Sequence, residues 1–321
     1  MKPAIHSALL LAMLAALGTA HAQTYPSKPI RLVVGFTPGG GVDINARLLA
    51  PKLTEYLGQQ VIVENRPGAG TNIANEFVAK SAPDGYTLLI NTAAVAINMS
   101  LYKKVPFDTL RDFAAVSVFS MSPNILVVHA SVPVKNVKEL IALARSKPGA
   151  LNFSSAGSGT TQHLSGELFK VRTKTNIVHI PFKGSAPSMT ALISGEVDLS
   201  YANIPAIHSH VKSGRLRPIA NLGPRRSDQL PDVPTMKEAG VSGVEVVVWY
   251  GVLAPSKTPR DIINTLSGAI IKATRAPDIK QRLLDQGAEP LGNTPEEFSK
   301  LLREEVEKWA EVVKVSGAKV D

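Results

Sequence analysis

Strand-length apolar runs alternate with helix-patterned segments as far as Leu253, and only helical patterns follow. Ile30 to Phe36, Val61 to Glu64, Thr87 to Asn91 and Ala114 to Phe119 read as strands, with helices at Asn45 to Leu57 and Ile73 to Ser81. Such alternation calls for a mostly parallel sheet covered by helices. The pattern then restarts. Ile125 to His129, Asn152 to Ser154, Ile177 to Pro181, Val197 to Tyr201 and Arg217 to Asn221 read as short strands. Helical patterns at Val137 to Arg145, Thr161 to Val171, Ser188 to Gly195 and Ala206 to Ser213 separate them. Val244 to Leu253 is a long apolar run, followed by helices at Arg260 to Thr274, Asp278 to Gln286 and Pro295 to Val315. The first unit is short of covering helices and the tail has no strands, so the tail is expected to fold back onto the first sheet. The chain then crosses between two α/β lobes twice, near Met121 to Ile125 and near Glu245 to Trp249, leaving a ligand cleft between them. The corresponding division is 23–123 and 248–321 for one lobe and 124–247 for the other.

The N-terminus predicts export. Lys2 precedes an apolar run from Ala8 to Leu17, and Ala20-His21-Ala22 has the small-x-small form of a signal-peptidase site, so residues 1–22 read as a signal peptide cleaved after Ala22. That run is too short to span a bilayer permanently. With no cysteine there is no lipoprotein anchor, disulfide framework or thiol nucleophile, and the fold must rest on burial, for which a hydrophobic content of 44% suffices. The net charge of +9 comes from scattered Lys and Arg, with 5% aromatic residues and no zinc-ligand or RNA-binding signature. A field that attracts small anions is the expectation, and nucleic acid is not.

Three loops carry the binding chemistry. Gly35-Phe36-Thr37-Pro38-Gly39-Gly40-Gly41-Val42-Asp43 joins a buried strand to a helix through glycines that bare the backbone, where unpaired amides and the helix dipole favour a carboxylate or phosphate. No lysine follows the last glycine and the spacing is not Gly-x-Gly-x-x-Gly, so neither nucleotide-binding loop is matched. Glu64 to Asn72 and Asn152 to Thr161 are further small-residue strand-to-helix loops, one in each lobe, able to aim N–H and O–H donors at a shared ligand.

Tyr25 to Arg31, Phe36 to Asp43, Val63 to Gly70 and Pro83 to Leu88 resemble the periplasmic receptors of the tripartite tricarboxylate transporter family, also called Bug proteins. The likeness continues through Gly157 to His163, Pro181 to Gly184, Leu230 to Thr235, Trp249 to Pro255, Thr294 to Glu296 and Glu307 to Trp309. It implies a type II periplasmic-binding-protein fold that holds a ligand carboxylate through backbone amides and water. It implies membrane transporter subunits as partners, or a membrane sensor kinase, with a monomeric receptor and no cofactor or metal. Carried over residue by residue, Phe36 forms a cleft wall, Gly40, Gly41, Ala69 and Gly70 supply backbone donors, and Ser155, Gly157, Thr160 and Thr161 face them from the other lobe. Asp43 is either a ligand or water partner or a helix cap. His163 is either a ligand contact or a histidine packed under its loop. Lys183 complements an anion by charge, and Asp198 is expected to end a strand on the cleft side and orient a water. Gly35 stands where proline is usual, Thr71 where glycine is common, and Phe153 and Phe182 where tyrosines are frequent.

An enzyme is not expected. Gly157-Ser158-Gly159 is not the Gly-x-Ser-x-Gly elbow, no spacing links His179 or His208 to a serine, and His208-x-His210 diverges on a helix. Trp249, beside the return crossing, is expected to report lobe closure, and Trp309 to respond less.

Overall fold

The computed structural model describes residues 25–320, so the export segment expected at 1–22 lies outside the described residues. In chain order the strands are β1 (Ile30–Val34), β2 (Val61–Asn65), β3 (Thr87–Asn91), β4 (Phe113–His129), β5 (Asn152–Ser155), β6 (Val178–Pro181), β7 (Leu199–Asn203), β8 (Leu216–Asn221), β9 (Val247–Pro255) and β10 (Glu289–Pro290). β1 lies between β2 and β3, all parallel, because helices Gly41–Leu57 and Asn72–Ala79 make the crossovers that parallel pairing requires. β9 then pairs antiparallel to β3, and β4 antiparallel to β9. In the second lobe β5 pairs parallel with β6 and β7, while β4 runs antiparallel to β7 and β8.

β4 is one strand of 17 residues shared by both lobes, where the sequence suggested two. Ser120, Ser122, Pro123 and Asn124 break the apolar pattern, yet the ladder continues through them, helped by partners for the two buried serine hydroxyls. Ser120 Oγ donates to Asn45 Oδ1 at 2.6 Å and Ser122 Oγ to the Gly287 carbonyl at 3.3 Å. The return segment pairs with this stretch, Val248 opposite Ser122 and Val247 opposite Pro123, so the two crossings form a two-stranded ribbon between the lobes.

The tail covers the first sheet. Helix Arg260–Arg275 packs on Gly41–Leu57 and β4, and helix Pro295–Ser316 packs on Ala94–Leu101 and β4 while also reaching Thr161–Thr173 of the second lobe. A Thr294–Glu297 capping box and Pro295 in the first turn start that last helix. Helix Ala94–Leu101 has no counterpart in the sequence reading, because it is buried almost all round and has no polar face to reveal its period. One apolar core runs through both lobes, from Val33 and Leu89 past Val118 and Trp249 to Phe153 and Tyr201.

Candidate functional site

Three helices begin in the cleft: Gly41–Leu57 from the first lobe, Thr161–Thr173 and Ser185–Ser194 from the second. The first amides of a helix have no acceptor within it. Thr160 Oγ1 accepts from the His163 N–H at 3.3 Å, but neither Gly40 nor Gly184 offers a side-chain cap, so the amides at those two ends stay available. The three ends meet at a cavity of about 30 Å³, lined also by Phe36, Thr92, Asn203 and Tyr250. Gly40, Gly41, Gln162, Ser185, Asn203 and Tyr250 also line an adjoining chamber of about 370 Å³. Among the described residues no Asp, Glu, Lys or Arg lines either space. Each helix end carries about half a positive charge, so three together suit one carboxylate.

Tyr250 completes this head site from β9. Asn203 Nδ2 donates to its hydroxyl, leaving the phenolic proton to donate inward. Burial raises the phenol's pKa, outweighing the opposing Asn203 hydrogen bond, and keeps it a donor. The hydroxyl stands where a side chain at Gly41 would begin, 2.7 Å from an ideal Cβ there.

The expected site residues separate into three groups. Phe36, Gly40, Gly41, Thr160 and Thr161 line the head cavity, although the Thr160 hydroxyl is taken up by the Gly157 carbonyl at 2.8 Å. Phe36 also lines an outer vestibule of about 500 Å³, where Ala69, Gly70, Gly157 and the exposed Lys183 are found. None of the remaining four lines the head cavity, the chamber or the vestibule: for Asp43 and His163 the second of the two alternatives holds, while the expectations for Ser155 and Asp198 need correction. Asp43 is a helix cap: its carboxylate accepts from the Gly39 N–H at 2.9 Å, Asn65 Nδ2 at 2.9 Å and Arg47 Nε at 3.0 Å. Burial opposes its ionisation, but the bonds from Arg47, Gly39 and Asn65 prevail and hold its pKa below the usual carboxylate value. Ser155 is fully buried, with its hydroxyl 2.7 Å from His179 Nε2. His163 is 2% exposed and stacks on His179 at 4.1 Å, packed under its loop. Asp198 precedes β7 rather than ending it and binds the Asn152 N–H at 2.8 Å, at the opposite end of β5 from the cleft loop.

The Ser155–His179 pair braces the loop from beneath. His163 and Phe153 sandwich the imidazole, and burial, then His163 and Lys170, lower its pKa to about 3. The departures at positions 35 and 71 also explain each other. A Cβ at Gly35 would lie 2.7 Å from Thr71 Cβ, so Gly35 makes the room that Thr71 fills.

Sequence reasoning missed Gln162, Ser185, Asn203 and Tyr250. The helix expected from Ser188 starts at Ser185, with Pro187 tolerated in its first turn, and that start carries those amides into the cleft. The available signal was Gly184, whose φ of 125° suits glycine and turns the chain into the helix.

The lobes touch across the cleft through glycines. An ideal Cβ on Gly70 would lie 2.7 Å from the Ser158 carbonyl oxygen of the facing lobe, and side chains on Gly159 and Gly184 would collide with Asn98 and Thr37. The arrangement is closed.

Two α/β lobes on a double crossing, closed over a chamber with three helix ends at its head, define a solute-binding protein of the hinged periplasmic class. The family signature described as tripartite tricarboxylate transporter family receptor (TctC) matches residues 45–318, and the chain belongs to that family of periplasmic receptors. It is 39% identical to the protein BugT of Bordetella pertussis over 301 residues, 93% of this chain and 92% of BugT. Among solved structures, Rpa4515 of R. palustris with adipate is 38% identical with a TM-score of 0.87, covering 91% of this chain and 98% of that one. MatC (Rpa3494) of Rhodopseudomonas palustris with bound malate is 31% identical with a TM-score of 0.86, covering 90% and 100%.

Proposed function

We propose that this protein is an extracytoplasmic receptor that closes its lobes around a small carboxylate and delivers it to the membrane subunits of a tripartite tricarboxylate transporter. The convergence of three helix N-termini from both lobes on one cavity, with no charged side chain among the described residues lining it, carries this reading. Amides from both lobes reach one anion only when the lobes close, so the ligand stabilises the closed form. The similar proteins solved with adipate and malate support a carboxylate as the bound group. Residues 1–22 act as the export signal in this reading, and the ribbon at Ser122 to Pro123 and Val247 to Val248 acts as the hinge.

A thermal-shift screen tests it. An organic acid at about 100 times its Kd adds about 2.7 kcal/mol, while an uncharged sugar and an oligonucleotide add nothing. A shift with sugar and none across a broad acid panel would overturn the proposal. The acid found in this way then probes the loop. Gly41→Val is expected to weaken binding by at least about tenfold, because its side chain meets the Tyr250 hydroxyl. Gly40→Ala should bind nearly as wild type, since Gly40 has φ −84° and an added Cβ finds its nearest neighbour at 3.6 Å. Calorimetric titration of both variants, with circular dichroism to show folding, checks this, and equal losses at the two positions would remove Tyr250 from the argument.

A further inference from the structure

Gln162, in the first turn of helix Thr161–Thr173, stands where the head cavity meets the chamber and lines both. Its side chain is 7% exposed and folds back over its own loop, where Oε1 accepts from the Ala156 N–H at 2.6 Å. A backbone N–H can only donate, so this bond fixes which way the carboxamide faces: the oxygen is occupied by Ala156 and the NH2 is turned away from it. Nε2 donates to no group of the protein among the described residues, although a primary amide this deeply buried ordinarily finds an acceptor. Ala156 lines the head cavity as well, which puts the bond in the cavity wall. The rest of that wall is rich in donors. The amides at the Gly40 and Gly184 ends carry no side-chain cap, and Tyr250 turns its phenolic proton inward. These donors outnumber the one side-chain amide oxygen left free there, Asn203 Oδ1. A carboxylate offers about four lone-pair sites on its two oxygens, whereas a carboxamide offers about two on its single oxygen and sets an NH2 against the remaining donors.

We infer that Gln162 is a specificity-determining residue of this receptor: turned by the Ala156 N–H, its NH2 donates to one oxygen of the ligand carboxylate and selects the acid over the corresponding amide. The inference rests on the carboxylate-receptor reading and assigns one of its contacts. A bound amide would leave the buried Gln162 NH2 facing another NH2, with neither satisfied.

The test titrates adipate, malate and any acid found in the thermal-shift screen, each beside its fully amidated form, into wild type and two variants by calorimetry. Wild type should prefer the acid by at least about 100-fold. Gln162→Glu keeps an acceptor for Ala156 and places a negative group in the first turn of a helix, where it is stabilising, so it should fold with the circular dichroism and melting of wild type. It converts the donor into an acceptor, and is expected to bind the acid at least about 100-fold more weakly while gaining affinity for the amide. Gln162→Met keeps the bulk without a donor and should lose about tenfold more on the acid than on the amide. A side chain that only braces Ala156 would instead lower both affinities equally in Gln162→Met and give no amide gain in Gln162→Glu. A folded Gln162→Glu protein without that gain, or either variant binding the acid as wild type does, would overturn the inference and leave the carboxylate receptor standing, whereas no binding of any organic acid by wild type would overturn both. If Gln162→Glu does not fold, the acid-to-amide ratio of Gln162→Met decides.

Discussion

Glu305→Ala is expected to lower the melting temperature by roughly 6 to 10 °C, a large loss for one side chain in a chain of this size. Glu305 is 7% exposed on helix Pro295–Ser316, and its Oε2 accepts from both indoles, Trp309 Nε1 at 2.8 Å and Trp249 Nε1 at 3.0 Å. The indoles are almost wholly buried, and Lys308 Nζ lies 3.6 Å from the other carboxylate oxygen. Alanine would orphan two buried donors at about 1 to 3 kcal/mol each and leave a cavity. Glu305→Gln keeps an accepting oxygen and should lose less than half as much. Scanning calorimetry of the two variants checks the order, and a Glu305→Ala midpoint within a degree of wild type would show that the shared bonds contribute nothing. The arrangement also revises the fluorescence expectation. Trp249 on the return strand and Trp309 on the last helix share one acceptor, so a change at either indole reaches the surroundings of the other.

Acid is expected to destabilise the protein well above the usual carboxylate range, through the stacked histidines under the Asn152 to Thr161 loop. Burial, then Lys170, lowers the His163 pKa to about 4, and burial, then His163 and Lys170, lowers that of His179 to about 3, from an ordinary value of 6.5. The unfolded chain therefore takes up these protons first. Their contribution is fully present above pH 6.5 and is lost as pH falls toward 4 and 3. For His163 alone the loss between pH 7 and pH 4 is on the order of 3 kcal/mol. Asp43, with its lowered pKa, adds a loss of the same sign at lower pH. Urea unfolding at pH 7, 5 and 4 should show the decline in wild type and a shallower one in His163→Gln. Identical slopes in the two proteins would remove the pair from the acid response. Because Ser155 Oγ contacts both His179 and the Gly157 carbonyl, ligand affinity should fall over the same interval.

Several elements were legible because their signals are local. The β1 run, the glycines before helix Gly41–Leu57 and the threonine start of helix Thr161–Thr173 are fixed by burial pattern and turn chemistry among adjacent residues. The mostly helical tail implied packing on a sheet made elsewhere, and Arg260–Arg275 does pack there, although the tail, expected to have no strands, adds the two-residue β10 to the edge of β4. β4 was not legible as one strand, since the partners that satisfy Ser120 and Ser122 are Asn45 and Gly287, far away in the chain.

The sequence by itself determined most of the alternation of strands and helices and the two crossings, because backbone preference and apolar periodicity act over a few residues. Only the tertiary structure decided which groups share the cavity. It brought Ser185 and Asn203 of one lobe beside Gly41 and Tyr250 of the other, turned Asp43 into a cap through Arg47 and Asn65, and buried His163 against His179. Those outcomes depend on contacts between residues distant in sequence, and a side chain's role follows from the groups that reach it in space.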